Sequence, residues 1–118
     1  SIILTQSPYL MAFAVTGVEI NVRTIPESWI FLKDMPQLKF GAQDNGSNEV
    51  AKCISREKPA VLIQNECVVV VGDKLLQTFD YLEVAEFSAK SIVMASSLGQ
   101  MVPINDEQTE ELRIAFLK

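Results

Sequence analysis

Ala60-Val61-Leu62-Ile63-Gln64-Asn65-Glu66-Cys67-Val68-Val69-Val70-Val71-Gly72 is the stretch that decides the fold. Two β-branched runs, each of strand length, flank the pair Asn65-Glu66, and the segment is predicted to be a buried hairpin. Asparagine tolerates the left-handed backbone conformation that a tight turn demands, which makes Asn65 the turn residue.

Downstream of the hairpin, Gly72-Asp73 is expected to cap a long helix that runs to about Leu98, with Gly99 as its C-cap. Leu75, Phe79, Leu82, Ala85 or Glu86, Ala89, Ile92 and Val93 form its first apolar face. Leu76, Val84, Phe87, Met94 and Ala95 widen that face beyond what one sheet covers, so the helix is either sandwiched in a core or shared with another subunit. Glu83 and Glu86 read as a solvated stripe, with Lys90 placed to pair with Glu86. Asn105-Asp106-Glu107-Gln108 resembles a capping box and opens a closing helix that carries Leu112, Ala115 and Phe116.

Upstream, Val50, Cys53 and Ile54 give one stripe of a short helix that stops before Pro59. Asp44-Asn45-Gly46-Ser47 is a turn cluster ending in a helix cap, and Leu38-Lys39-Phe40 before Gly41 alternates like a strand. Ile25 to Leu32 is an apolar block that fits either a strand or a short helix. Ser7-Pro8 opens a helix with Ser7 as N-cap, with Leu10, Met11, Phe13, Ala14 and Val15 following and Gly17 closing it. Ile2 to Leu4 is apolar where most domains have a polar end, so a missing upstream piece is expected and Ser1 need not be the native start. Strands and helices interleave without repeat or linker. The class is α/β with a mixed sheet.

The 118 residues suffice for one domain with a core of its own. Almost half are apolar, 48%, and some of that area is expected in an interface. The net charge of −5, with basic residues scattered singly, argues against nucleic acid as a partner. No apolar run is long enough to span a bilayer and the start lacks a leader pattern, so a cytoplasmic protein with no membrane partner is expected. Cys53 and Cys67 have no CxxC pairing and read as buried reduced thiols. No glycine-rich phosphate loop is visible, and with no histidine in the chain a serine or cysteine nucleophile has no imidazole base.

Ile3-Leu4-Thr5-Gln6-Ser7-Pro8-Tyr9 and the Asn65-Glu66-Cys67 segment resemble motifs of the class II aldolase/adducin family, which usually reads His-Thr-His-Ser-Pro-Tyr and Asn-His-Gly there. Thr24 to Leu32, Asp80 to Lys90, and Ala95, Leu98 and Gly99 extend the likeness over nearly the whole chain. The resemblance implies a three-layer α/β/α fold with a largely antiparallel sheet, of which residues 1–118 form a single truncated domain matching the C-terminal half. It also implies assembly as an oligomer with active sites between subunits. The family's phosphate loops and catalytic glutamate, in its N-terminal half, have no counterpart in these residues.

Carried over by this resemblance, the family's zinc ligands fall on Leu4, Gln6 and Glu66. Leucine cannot ligate and a carboxamide is a poor zinc ligand, so only Glu66 remains, and one carboxylate is not a site. Cys67 is adjacent but is expected on the opposite face of the strand. No cofactor, metal or catalytic residue is therefore assigned, and Gln6, Trp29, Asn65 and Glu66 are candidates for a remnant pocket. Trp29 stands near the segment where some family members carry a proton-donating tyrosine, and Tyr9 and Tyr81 read as packing or interface aromatics. The expectation is a domain without lyase chemistry that acts by self-association or by pairing with a separate chain. The alternatives are a subunit of a split sugar-phosphate aldolase/epimerase-like enzyme, a small-molecule binding module reusing the old pocket, and a remnant without selected function.

Overall fold

The computed structural model describes residues 1–44, 46 and 48–117. In chain order the elements are β1 (Ile2–Thr5), α1 (Pro8–Thr16), α2 (Pro26–Leu32), β2 (Gln37–Leu38), α3 (Glu49–Cys53), β3 (Ala60–Ile63), β4 (Cys67–Val71), α4 (Leu75–Ala95) and α5 (Asp106–Phe116). The hairpin lies at the centre of a four-stranded sheet of order β1-β4-β3-β2. β4 pairs antiparallel with β3, Val61 opposite Val69, and antiparallel with β1, Leu4 opposite Val69. β2 adds on in parallel, Leu38 opposite Ile63.

The period of two along β3 and β4 divides the core into two clusters. Ala60, Leu62, Val68 and Val70 face α1 and α4, where Leu10, Phe13, Ala14, Ala85 and Ala89, together with Leu32 of α2, complete the larger cluster. Val61, Ile63, Cys67 and Val69 face the other way, beneath Ala42 and the α3 residues Val50 and Cys53. Most of these strand side chains are fully buried, each contributing about 1.5–3 kcal/mol. The α/β class, the mixed and largely antiparallel sheet and the helical cover on both faces follow the sequence expectation, with α3 a thin second layer.

Several boundaries differ from those expected. Residues 25–32 resolve into the helix α2, with Pro26 in its first turn, and the strand placed at 38–40 is β2 at Gln37–Leu38. Asn45 and Ser47 of the expected turn lie outside the described residues, and α3 begins after Asn48. α4 spans Leu75–Ala95 instead of running to Leu98, and its N-cap is Lys74. Asp73 instead pairs with Arg56 at 3.2 Å and donates its N–H to Gln77 Oε1 at 2.9 Å. The amides of Leu98 and Gly99 both turn back to the Ala95 carbonyl, which ends the helix before the predicted glycine cap.

The inward face of α4 is also rotated. Leu75 and Phe79 are exposed, and Thr78, Ala85, Ser88 and Ala89 are buried in their place. Small side chains allow close helix approach, and α2 takes advantage of this: Ser28, Ser88 and Thr24 share a hydroxyl cluster, with Thr24 Oγ1 3.1 Å from Ser88 Oγ. The capping box of α5 forms as expected, with Gln108 N donating to Asn105 Oδ1 at 2.8 Å and Asn105 N to Gln108 Oε1 at 3.0 Å. Of the three apolar residues expected to pack from it, only Leu112 turns inward, while Ala115 and Phe116 are exposed. Among the described residues no helix is long and apolar enough to cross a membrane.

Candidate functional site

The hairpin turn and the end of β1 meet in an open cleft of about 540 Å³, lined by Leu4, Thr5, Gln6, Gln43, Asn65, Glu66 and Cys67. The antiparallel pairing of β1 with β4 puts Leu4 and Gln6 beside the turn that carries Asn65 and Glu66. Asn65 takes φ 61°, as expected of the turn residue, and its N–H reaches the Ala14 carbonyl at 3.0 Å. The C-terminus of α1 thereby fixes the turn.

Among the described residues Glu66 is the only carboxylate lining the cleft, and both of its oxygens are engaged. Its Oε1 accepts the Gly41 N–H and its Oε2 accepts Gln43 Nε2–H at 2.6 Å. Its main-chain carbonyl accepts Gln6 Nε2–H at 2.9 Å. A glutamate so committed ties the 39–44 loop to the turn. Gly41 adopts φ 85°, a conformation that glycine reaches without strain and that presents its N–H to the carboxylate.

Three of the four pocket candidates, Gln6, Asn65 and Glu66, come together here. Trp29 does not line this cleft; it is half-buried on α2 beneath Lys33, whose Nζ is 4.8 Å from the ring centroid. The expectation that Cys67 faces away from Glu66 is corrected. Glu66 belongs to the turn, where strand alternation does not apply, and both residues line the cleft. Burial pushes the Cys67 thiol above its ordinary pKa, and the Glu66 carboxylate adds to that rise. Both cysteines are free, Cys67 buried and Cys53 partly so, in the same apolar cluster.

The donor set does not fit zinc. Leu4 offers no donor atom, Gln6 directs its amide N–H at a carbonyl, and both Glu66 oxygens already accept hydrogen bonds. Among the described residues no three His, Cys, Asp or Glu side chains are placed to hold a metal ion. The arrangement supplies amide donors and acceptors around one occupied carboxylate.

Gln43 and Gly41 were not found by sequence reasoning. Gly41 was read only as the residue that follows the 38–40 strand, and nothing marked its target across the sheet. Glu86 was missed as well: it forms no ion pair with Lys90, and its Oε2 and Oε1 accept the N–H groups of Tyr9 at 3.0 Å and Leu10 at 2.9 Å. Ser7 sits at the expected N-cap position but its hydroxyl makes no capping bond. Lys90 lies 5.7 Å over the Tyr9 ring, and Tyr81 packs 5.8 Å from Phe31, so both tyrosines are packing aromatics.

The family described as "Class II Aldolase and Adducin N-terminal domain" matches residues 1–93. No curated protein matches the chain. Among solved structures, L-fuculose 1-phosphate aldolase from Glaciozyma antarctica PI12 aligns with TM-score 0.75 and 23% identity over 97% of this chain and 43% of its own. A second structure described as L-fuculose 1-phosphate aldolase aligns with TM-score 0.78 and 22% identity over 99% of this chain and 55% of its own. YgbL from Escherichia coli, described as a putative aldolase/epimerase/decarboxylase, gives TM-score 0.80 and 18% identity over 95% and 56%. At these identities the likeness is one of fold, and the chain spans about half the length of the structures it matches.

Proposed function

Because the chain belongs to the class II aldolase and adducin family, and its Leu4, Gln6 and Glu66 stand where that family's zinc ligands are expected, we propose that it acts by association and not by metal-dependent carbon–carbon cleavage. The observation that supports this reading is the commitment of Glu66. The one side chain of the three able to bind a metal spends both oxygens on Gly41 and Gln43, holding a loop to a turn. A carboxylate in that role is a structural brace, and a neutral glutamine cannot replace a cation in stabilising a developing oxyanion.

The surface supports the association half of the proposal. Ile2 and Leu4 are exposed on the edge strand β1, and Leu76, Phe79, Phe87 and Met94 are exposed on α4, more apolar surface than an isolated small domain usually presents. Edge strands and apolar helix faces are the two features that folded domains most often cover with another chain.

The test is a native mass spectrum of the purified chain after incubation with excess zinc. A metal-free oligomer is the expected result. One zinc retained per subunit would overturn the loss of metal chemistry, and a metal-free monomer at every concentration would overturn self-association.

A further inference from the structure

From the orientation of the amides around Glu66 we infer that the cleft at the hairpin turn binds a small primary ammonium ion, an aliphatic amine in its charged form. This ligand belongs to the single chain and does not depend on the association proposed above.

Glu66 sets the polarity of the cleft. A carboxylate oxygen and a main-chain carbonyl only accept hydrogen bonds, so the amide atom facing either of them is nitrogen. Gln6 therefore turns Nε2 to the Glu66 carbonyl, 2.9 Å away, and Gln43 turns Nε2 to Glu66 Oε2, 2.6 Å away. Gly41 gives its N–H to Oε1. These donors are used up at the turn, and the Oε1 atoms of Gln6 and Gln43 are left as acceptors without a partner among the described residues. Each Glu66 oxygen keeps room for a further bond, since a carboxylate oxygen accepts about two.

The charge has the matching sign. Glu66 is the only charged side chain on the cleft wall, and among the described residues it forms no salt bridge. On the 39–44 loop that it holds, neither Lys39 nor Asp44 lines the cleft. Neutral dipoles stabilise the carboxylate without cancelling its charge. A phosphate or carboxylate entering here meets a negative charge and amide oxygens with no cation to offset them. A hard metal ion, which takes six or more oxygens, meets a single carboxylate. An alkylammonium brings three N–H donors and no acceptor, which suits a wall whose own donors are spent.

Leu4, 55% exposed, supplies apolar wall for the aliphatic stem, and the cleft volume of about 540 Å³ is of small-molecule size. Because the acceptors are already held by bonds within the chain, little ordering is lost on binding. The cleft is open to solvent and the ion pair is screened, so affinity is expected at about the millimolar level.

Proton–nitrogen correlation NMR on the full chain tests this, with n-butylammonium chloride, n-butanol, sodium butyrate and calcium chloride as parallel titrants at neutral pH and matched ionic strength. Butylammonium is expected to give saturable shifts of the Gln6 and Gln43 side-chain amides and of the Gly41 and Asn65 N–H groups. Butanol is expected to bind about tenfold more weakly or less, and butyrate not at all. Glu66→Gln is expected to abolish the saturable shifts. Because that change also loosens the 39–44 loop, Leu4→Lys is the second variant: its tethered ammonium fills the cleft and excludes butylammonium, while unchanged Gly41 and Asn65 resonances report an intact turn. Butanol or butyrate binding as tightly as butylammonium would overturn the proposal. Calcium that shifts the same resonances and displaces butylammonium would overturn it in favour of an inorganic cation. Saturable butylammonium shifts that persist in either variant, or wild-type shifts that never saturate, would overturn it as well. All of these outcomes are independent of oligomeric state, which the mass spectrum reads separately.

Discussion

Asn65 holds the hairpin turn in the left-handed region, φ 61°, a conformation that costs an ordinary L-residue about 1–2 kcal/mol. Asn65→Ala is therefore expected to lower unfolding stability by about 1 kcal/mol, and Asn65→Gly to leave it within about 0.5 kcal/mol, measured by urea denaturation. The turn was legible because asparagine between two β-branched runs has few other uses. The partners of Glu66 were not, because Gly41 and Gln43 reach it from a loop more than twenty residues earlier, and no local pattern encodes that approach.

Cys67 offers a second test at this scale. Its thiol is held protonated by burial and by Glu66, so its folded pKa is raised. The corresponding stability is complete below 9.0, the ordinary thiol value, and declines as pH rises above it, because the unfolded chain releases its proton first. Denaturation midpoints should fall between about pH 8 and about pH 10, and Cys67→Ala should flatten that fall.

Among the elements, α1 depends most on a distant side chain. Its first amides are satisfied by Glu86 of α4, a residue 77 positions further along the chain, while the Ser7 hydroxyl is buried without a partner. Two charge-assisted bonds at a helix N-terminus are strengthened by the helix dipole, so Glu86→Ala is expected to cost about 1–3 kcal/mol. Ser7→Ala, costly if that serine capped the helix, is expected to be neutral or slightly stabilising, since it removes an unsatisfied buried hydroxyl. Thermal denaturation of the two variants checks both. The limits of α1 were readable from Pro8 and Gly17, which act on their own backbone. The true cap was hidden, because the i, i+4 spacing of Glu86 and Lys90 suggested a local pair that the tertiary contact displaces. The rotation of α4 has a similar cause: leucine and phenylalanine outrank threonine and serine on hydrophobicity, but α2 and the sheet select small residues for close approach.

At the scale of the molecule, the described residues leave an apolar face of α4 and the edge strand β1 exposed. Association through either couples folding to concentration, so the thermal midpoint of the wild-type chain is expected to rise as protein concentration is raised. The sequence placed strands and helices in their order along the chain, but the insertion of β1 beside β4 is a long-range pairing that local patterns do not reveal. α5 is joined to the rest by its contact with α2 and by Arg23, which binds Asp106 at 2.7 Å and whose carbonyl accepts the Ile104 N–H at 3.0 Å. The family match ends at residue 93, before this helix begins. An element fastened at its first turn and exposed along most of its length opens without disturbing the sheet. Its amide protons are expected to exchange with deuterium through a local opening, while those of Val68 and Val70 in β4 wait for global unfolding, giving one cooperative melt but two tiers of exchange.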